Sequence, residues 1–384
     1  MNRSGKYVSQ MGRYKAFVPS PLPPDPAIKI EGELKKLLKE ANLVLAKLDG
    51  FAYAIPNVDL FIGMYVKKEA LLSTQIEGTQ ASLEDVFAFE ATQDEKMFEN
   101  INDIEEVVNY IKSLNYGIKK LEKFPMSLRL IKELHKILLQ GVRGHEKTPG
   151  EFKRTQNWIG PAGCTLQNAK FVPPSPQETL TAMGDLEMYM HSGAILPELV
   201  DCALIHYQFE TIHPFLDGNG RLGRLLITFY LFWKGLLKRP LLYLSYYLKK
   251  NRQEYYDRLG MVRKSGDYEQ WVTFFLQGVI ETADLAIEDA KKILSLQERH
   301  RKLLLEKNVS SQFAHMLLEK LFYTPYVSVK DVQNEFGIHY QSAANLIAKF
   351  QAIGILKEIT GKKRGKRFAY KKYLEILQEG TKPL

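Results

Sequence analysis

Apolar residues recur at helical spacing through most of the chain. "ELKKLLKEANLVLAKL" (Glu33–Leu48) and "INDIEEVVNYIKSL" (Ile101–Leu114) predict a mostly helical region from Ile30 to about Leu121. A second helical region is predicted from about Met126 to Ile280. It is interrupted at Gly150–Pro176, where extended runs at Glu151–Ile159 and Asn168–Val172 flank a Gly-Pro turn and predict a β-hairpin. "ETADLAIEDAKKILSLQERHRKLLLEK" (Glu281–Lys307) reads as a long amphipathic linking helix. The remainder reads as three helices followed by strand–turn–strand, "ILKEITGKKRGKRFAY", the order of a winged helix-turn-helix with "TGKKRGKR" as its wing. "PSPLPPDP" (Pro19–Pro26) reads as an extended arm. The fold class expected is mainly α: residues 1–125 an N-terminal helical domain, 126–280 a central domain, 281–384 a linker helix and winged helix.

Composition adds bounds. A length of 384 residues suits two or three domains, and 45% hydrophobic with 25% charged residues is the balance of a soluble protein. Cys164 and Cys202 suggest no zinc site or disulfide framework, which favours a reducing compartment, the cytoplasm. No secretory signal is expected, and the longest apolar run, Leu225–Trp233, is far short of a membrane span. Of the net charge of +9, residues 325–384 carry +6. That makes nucleic acid a candidate partner of the winged helix. However, its third helix offers only Gln341, Asn345 and Lys349 as polar contacts, so a packing or dimerisation module is the favoured reading.

The densest chemistry is "HPFLDGNGRLGR", His213–Arg224. A helix ending in "QFETI" must stop before Pro214, and an almost wholly apolar helix starts after "DGNG". The loop therefore opens a buried helix N-terminus, where free backbone amides favour an anion. Arg221 and Arg224, three residues apart, project from nearly one face. Two cations at that end oppose the helix dipole unless an anion compensates them, which argues for a ligand. Glycines, amides and guanidiniums make a polyphosphate cradle; Asp217 suits Mg²⁺ and His213 suits a general base. No Walker A loop is present, and His206 and His213 lack zinc-protease spacing.

These twelve residues match the Fic signature HxFx(D/E)GNGRxxR at every defined position, so the chain resembles the Fic (Fido-domain) family. The resemblance implies a helical Fic core from about Met126 to Ile280, with the hairpin as its flap. It also implies a protein adenylyltransferase that moves AMP from ATP to a Ser, Thr or Tyr hydroxyl of a target protein. By that resemblance His213 is the general base, Phe215 anchors the loop and Asp217 binds Mg²⁺. Gly218, Asn219 and Gly220 shape the anion hole, and Arg221 and Arg224 hold the β- and γ-phosphates, with Leu222 and Gly223 in the same cradle. Asn251, Tyr255 and Tyr256 would approach the nucleotide base. The flap would take the target by strand addition.

"STQIEGT" (Ser73–Thr79) closes an amphipathic run and places Ser73 and Glu77 on one helix face. With the loop above, it resembles the family's inhibitory motif (S/T)xxxE(G/N), which implies that Glu77 pairs with Arg224 and restrains the enzyme. The alternatives are a nucleotide-sensing DNA-binding regulator, another nucleotide donor, and removal of AMP. Self-modification and a homodimer, common among similar proteins, are further partner expectations.

Overall fold

The computed structural model describes residues 3–382 except 13, 55–57, 93–97, 162, 194 and 362–364. It opens on two antiparallel strands, β1 (Gly5–Gln10) and β2 (Tyr14–Pro19), in register from Gly5 opposite Pro19 to Gln10 opposite Tyr14. The sequence reading assigned no element before the proline-rich arm. Long-range contacts stabilise this ribbon: the Phe17 N–H donates to the Val172 carbonyl at 2.9 Å, and the Phe17 and Phe171 rings lie 6.2 Å apart.

Four helices follow: α1 (Gly32–Ala54), α2 (Val58–Ile76), α3 (Leu83–Thr92) and α4 (Ile101–Leu121). The central region contains α5 (Leu128–Leu138), α6 (Pro176–His191), α7 (Glu198–Ile212) and α8 (Asn219–Trp233). After these come α9 (Ser245–Lys250), α10 (Arg252–Ser265) and α11 (Tyr268–Glu306). Local chemistry marks several starts: Ser175 and Glu178 form a capping box ahead of α6, and Asp267 caps α11. The predicted linking helix is thus the latter part of a 39-residue helix that runs unbroken through residue 280. The predicted hairpin at 151–172 contracts to one antiparallel pair, Ile159 opposite Phe171, with reciprocal N–H to carbonyl bonds of 2.8 and 3.0 Å.

The rest is α12 (Gln312–Tyr323), β3 (Tyr326–Ser328), α13 (Val329–Phe336), α14 (Tyr340–Ala352), β4 (Lys357–Glu358), β5 (Arg367–Ala369) and α15 (Lys371–Gln378). Its sheet runs β3-β5-β4, all antiparallel. Lys362, Lys363 and Arg364, in the expected wing, lie outside the described residues. One continuous apolar core joins all three regions. No helix among the described residues is long and apolar enough to cross a membrane.

Helix α2 is bound to its surroundings by buried polar groups. Lys68 pairs with Asp289 of α11 at 2.9 Å, and Tyr65 donates to the Ala286 carbonyl at 2.6 Å. Glu69 accepts from Tyr110 of α4 and from the Ser245 amide, both at 3.1 Å. Near its end Gln75 donates to the Ala81 and Thr381 carbonyls and accepts from Lys249 at 2.6 Å. These bonds set where the helix end, and hence Glu77, can lie.

Candidate active site

Helices α7 and α8 pack against each other, and the loop between them carries the dense motif. Helix α7 stops at Ile212; His213 caps it in the left-handed region, φ 49° and ψ 60°, its amide donating to the Phe209 carbonyl at 2.9 Å. A left-handed backbone is uncommon for a residue with a Cβ and needs support from its surroundings. Phe215 is fully buried, its ring stacked 3.7 Å from that of His135. His135 accepts from the Gly150 amide through Nδ1 (2.8 Å), so its Nε2–H donates to the Asp217 carbonyl (2.9 Å). Burial holds this imidazole neutral, its pKa lowered to about 4. Asn219 staples the loop, accepting from the Phe215 amide at 2.9 Å and donating to the Phe215 carbonyl at 2.8 Å. Gly218, at φ 72°, starts α8 where a Cβ would be strained.

Both signature arginines are buried, and the anions beside them are the protein's own. Arg224 donates through Nη2 to Glu77 Oε1 at 2.6 Å and to the Ser73 carbonyl at 3.0 Å, and through Nε to Ser73 Oγ at 2.8 Å. Arg221 Nη1 lies 3.2 Å from Glu106 Oε2, and its Nη2 lies 3.6 Å from Asp217 Oδ1. Glu106 also takes two bonds from Arg143, at 3.1 and 3.2 Å. The compensating anions that the sequence argument sought in a ligand are present within the chain: Glu77, the expected partner of Arg224, and Glu106, which the sequence reading did not single out. The Glu77 carboxylate lies over the first turn of α8, where a Cβ on Gly220 would overlap it and come within 3.0 Å of Arg224 Nη1. Burial opposes the Glu77 charge, but Arg224, aided by Arg221, outweighs it and holds the carboxyl below its usual value.

Two titratable groups flank His213. Burial, then the nearby Lys153 ammonium, lower the His213 imidazole to about 3, so the ring is an unprotonated base near neutral pH. Glu210, one helical turn earlier, packs against Gly223, and burial raises its carboxyl to about 7. The sequence reading singled out neither Glu210, Lys153, Glu106 nor His135. The only local signal was polar residues on runs otherwise destined for a core.

The remaining expected site residues differ in placement. Tyr255 is fully buried and donates to His206 Nε2 at 2.9 Å, while His206 Nδ1 bonds the Gly223 carbonyl at 2.9 Å, so this pair fastens α10 to α8. Tyr256 lies close enough to act electrostatically on Arg224. Asn251 joins α9 to α10, its amide donating to the Tyr247 carbonyl at 3.0 Å. Leu222 is fully buried in α8.

The Fic/DOC family N-terminal model matches residues 35–119, and the Fic/DOC family model matches residues 125–231. The chain is 31% identical over 229 residues to a protein adenylyltransferase Fic of Drosophila grimshawi, an alignment covering 57% of this chain and 43% of that protein. A protein of the same name from Aedes aegypti is 30% identical over 218 residues, 56% of this chain and 40% of its own. The chain thus spans less than half the length of these relatives. Among solved structures, a Fic family protein from Desulfovibrio desulfuricans superimposes with a TM-score of 0.57 at 18% identity, over 89% of this chain and 97% of that one. A Fic domain-containing signaling protein from Bacteroides thetaiotaomicron gives 0.51 at 21%, over 66% and 97%. These two likenesses establish a shared fold. With both family models matched and the signature loop intact, the chain belongs to the Fic/DOC family.

Proposed function

We propose that this protein is an adenylyltransferase that transfers AMP from ATP to a hydroxyl side chain of a target protein, with Glu77 as its internal restraint. The observation that carries the reading is the Glu77 carboxylate seated against Arg224 over the first turn of α8, beside the neutral His213 imidazole. A protein carboxylate held there marks an anion site within reach of a general base. The named relatives supply the reaction type.

In this reading the imidazole of His213 takes the proton of the target hydroxyl as its oxygen bonds to the α-phosphorus. The bond from that phosphorus to the bridging oxygen breaks, and pyrophosphate leaves. Arg224, released from Glu77, turns its donors to the γ-phosphate, and the open first turn of α8 receives backbone-bound phosphate oxygens. Arg221 neutralises phosphate charge while staying anchored on Glu106. Mg²⁺ takes one or two carboxylates and otherwise phosphate and water; Asp217, a single loop carboxylate with its side chain 39% exposed, fits that demand and would hold the ion. When bound, the ion neutralises charge developing on the phosphates. The segment 158–172 would receive an extended target, since Trp158 and Ile159 are exposed on it.

The test is incubation of the Glu77→Gly protein with Mg-ATP labelled at either the α- or the γ-phosphorus. Transfer of α-label but not γ-label to protein is expected. Label from the γ-position, or from neither, overturns the reading.

A further inference from the structure

The carbonyls of Ile212, His213, Pro214 and Phe215 all accept hydrogen bonds from two residues, Lys153 and Asn157. The Lys153 ammonium donates to the Ile212 carbonyl at 3.3 Å, the His213 carbonyl at 3.1 Å and Asn157 Oδ1 at 2.8 Å. Its backbone N–H donates to the Pro214 carbonyl at 2.8 Å. Asn157 Nδ2 donates to the His213 and Phe215 carbonyls at 3.0 and 2.8 Å. An ammonium has three donors, and all three are used here.

This arrangement is unusual for a lysine. Lys153 is 3% exposed, yet among the described residues it makes no ion pair. Its amine sits at the carbonyl end of α7, where the last carbonyls of a helix lack partners and a cation is favoured, although burial lowers its pKa from 10.5 to about 7. That same end carries His213 in its left-handed bend. A buried amine spent on two backbone carbonyls at this bend and on Asn157, which bonds the same stretch, is a device for holding a backbone conformation.

We infer that Lys153 and Asn157 are positioning residues, holding the His213 backbone in the bend that presents its imidazole to the reacting hydroxyl. The inference rests on the transferase reading above. Both residues lie on the segment that leads into Trp158 and Ile159. Gln156 between them is tied down in turn, donating to the Pro173 carbonyl at 3.0 Å.

The test compares Lys153→Met and Lys153→Arg in the Glu77→Gly protein, with melting curves to confirm folding. Methionine removes every side-chain donor and keeps only the main-chain bond to Pro214, so kcat should fall about 10²-fold, as expected for a base displaced by about 1 Å, while KM for ATP stays within about twofold. Arginine, which keeps charged donors, should recover most of the loss. Arginine no better than methionine, or an unchanged kcat in Lys153→Met, counts against the inference. A crystal structure of Lys153→Met decides it independently of rate: His213 should leave positive φ, and His213 unmoved overturns the proposal. If Lys153→Met does not fold, Asn157→Leu, which removes three of the bonds, takes its place in both measurements. A Glu77→Gly protein that transfers no label sinks the transferase reading alone, because the crystal structure still judges this one.

Discussion

Arg224 Nη2 and Glu77 Oε1 lie 2.6 Å apart, joining residues 147 positions distant in sequence. The Arg224 side chain is almost wholly buried (1% exposed) and that of Glu77 is 36% exposed, so removing the carboxylate leaves a partly screened buried cation. The cost should lie below the roughly 3–5 kcal/mol of a fully buried broken pair. Glu77→Gly should therefore melt at lower temperature without ligand, regain stability in Mg-ATP and transfer label to itself or to lysate proteins. Adding Arg224→Ala should silence it again. Unchanged labelling in Glu77→Gly under saturating ATP would show that Glu77 restrains nothing.

Gly220 separates inhibition from phosphate binding. A methyl there would overlap the Glu77 carboxylate, whose side chain can swing away, but it would also stand over the first turn of α8. Gly220→Ala should loosen the Glu77–Arg224 pair, read as a lower melting temperature, without the gain in labelling seen for Glu77→Gly. A labelling rate equal to that of Glu77→Gly would place the phosphates elsewhere.

His213→Ala in the Glu77→Gly protein should cut transfer by ~10²–10⁴ and leave ATP affinity nearly unchanged, since only the base is removed. Calorimetric ATP titration beside a labelling assay checks both halves. Undiminished labelling would remove His213 from the chemistry.

Glu210 predicts a specific pH dependence. Burial raises its carboxyl from 4.5 to about 7, an effect that Arg224 partly offsets. The folded protein thus binds a proton that the unfolded chain releases, giving stability in acid that is lost as pH rises from about 4.5 to 7, roughly 3 kcal/mol in all. Glu210→Gln lacks that titration, so its melting temperature relative to the parent should climb across this window and level off above it. A difference independent of pH would mean Glu210 is already ionised.

Much of the site was legible in the chain because its chemistry is local. Pro214 stops a helix, Gly218 permits the turn that starts the next, and three- and four-residue spacings put Arg221 with Arg224 and Ser73 with Glu77. Those relations depend on backbone sterics and helical repeat, which a short stretch of sequence carries in full. What the arginines face was not legible. Glu106 reaches Arg221, Lys153 reaches the carbonyls around His213, and β2 reaches Val172 only because distant segments are packed together. The imidazole of His213 and the carboxyl of Glu210 owe their shifts chiefly to burial, which no single residue type encodes. The sequence alone determined the helices, the loop and the residue types in it. Tertiary structure decided which charges meet and which lose their water, because those energies depend on distance and desolvation across the folded core.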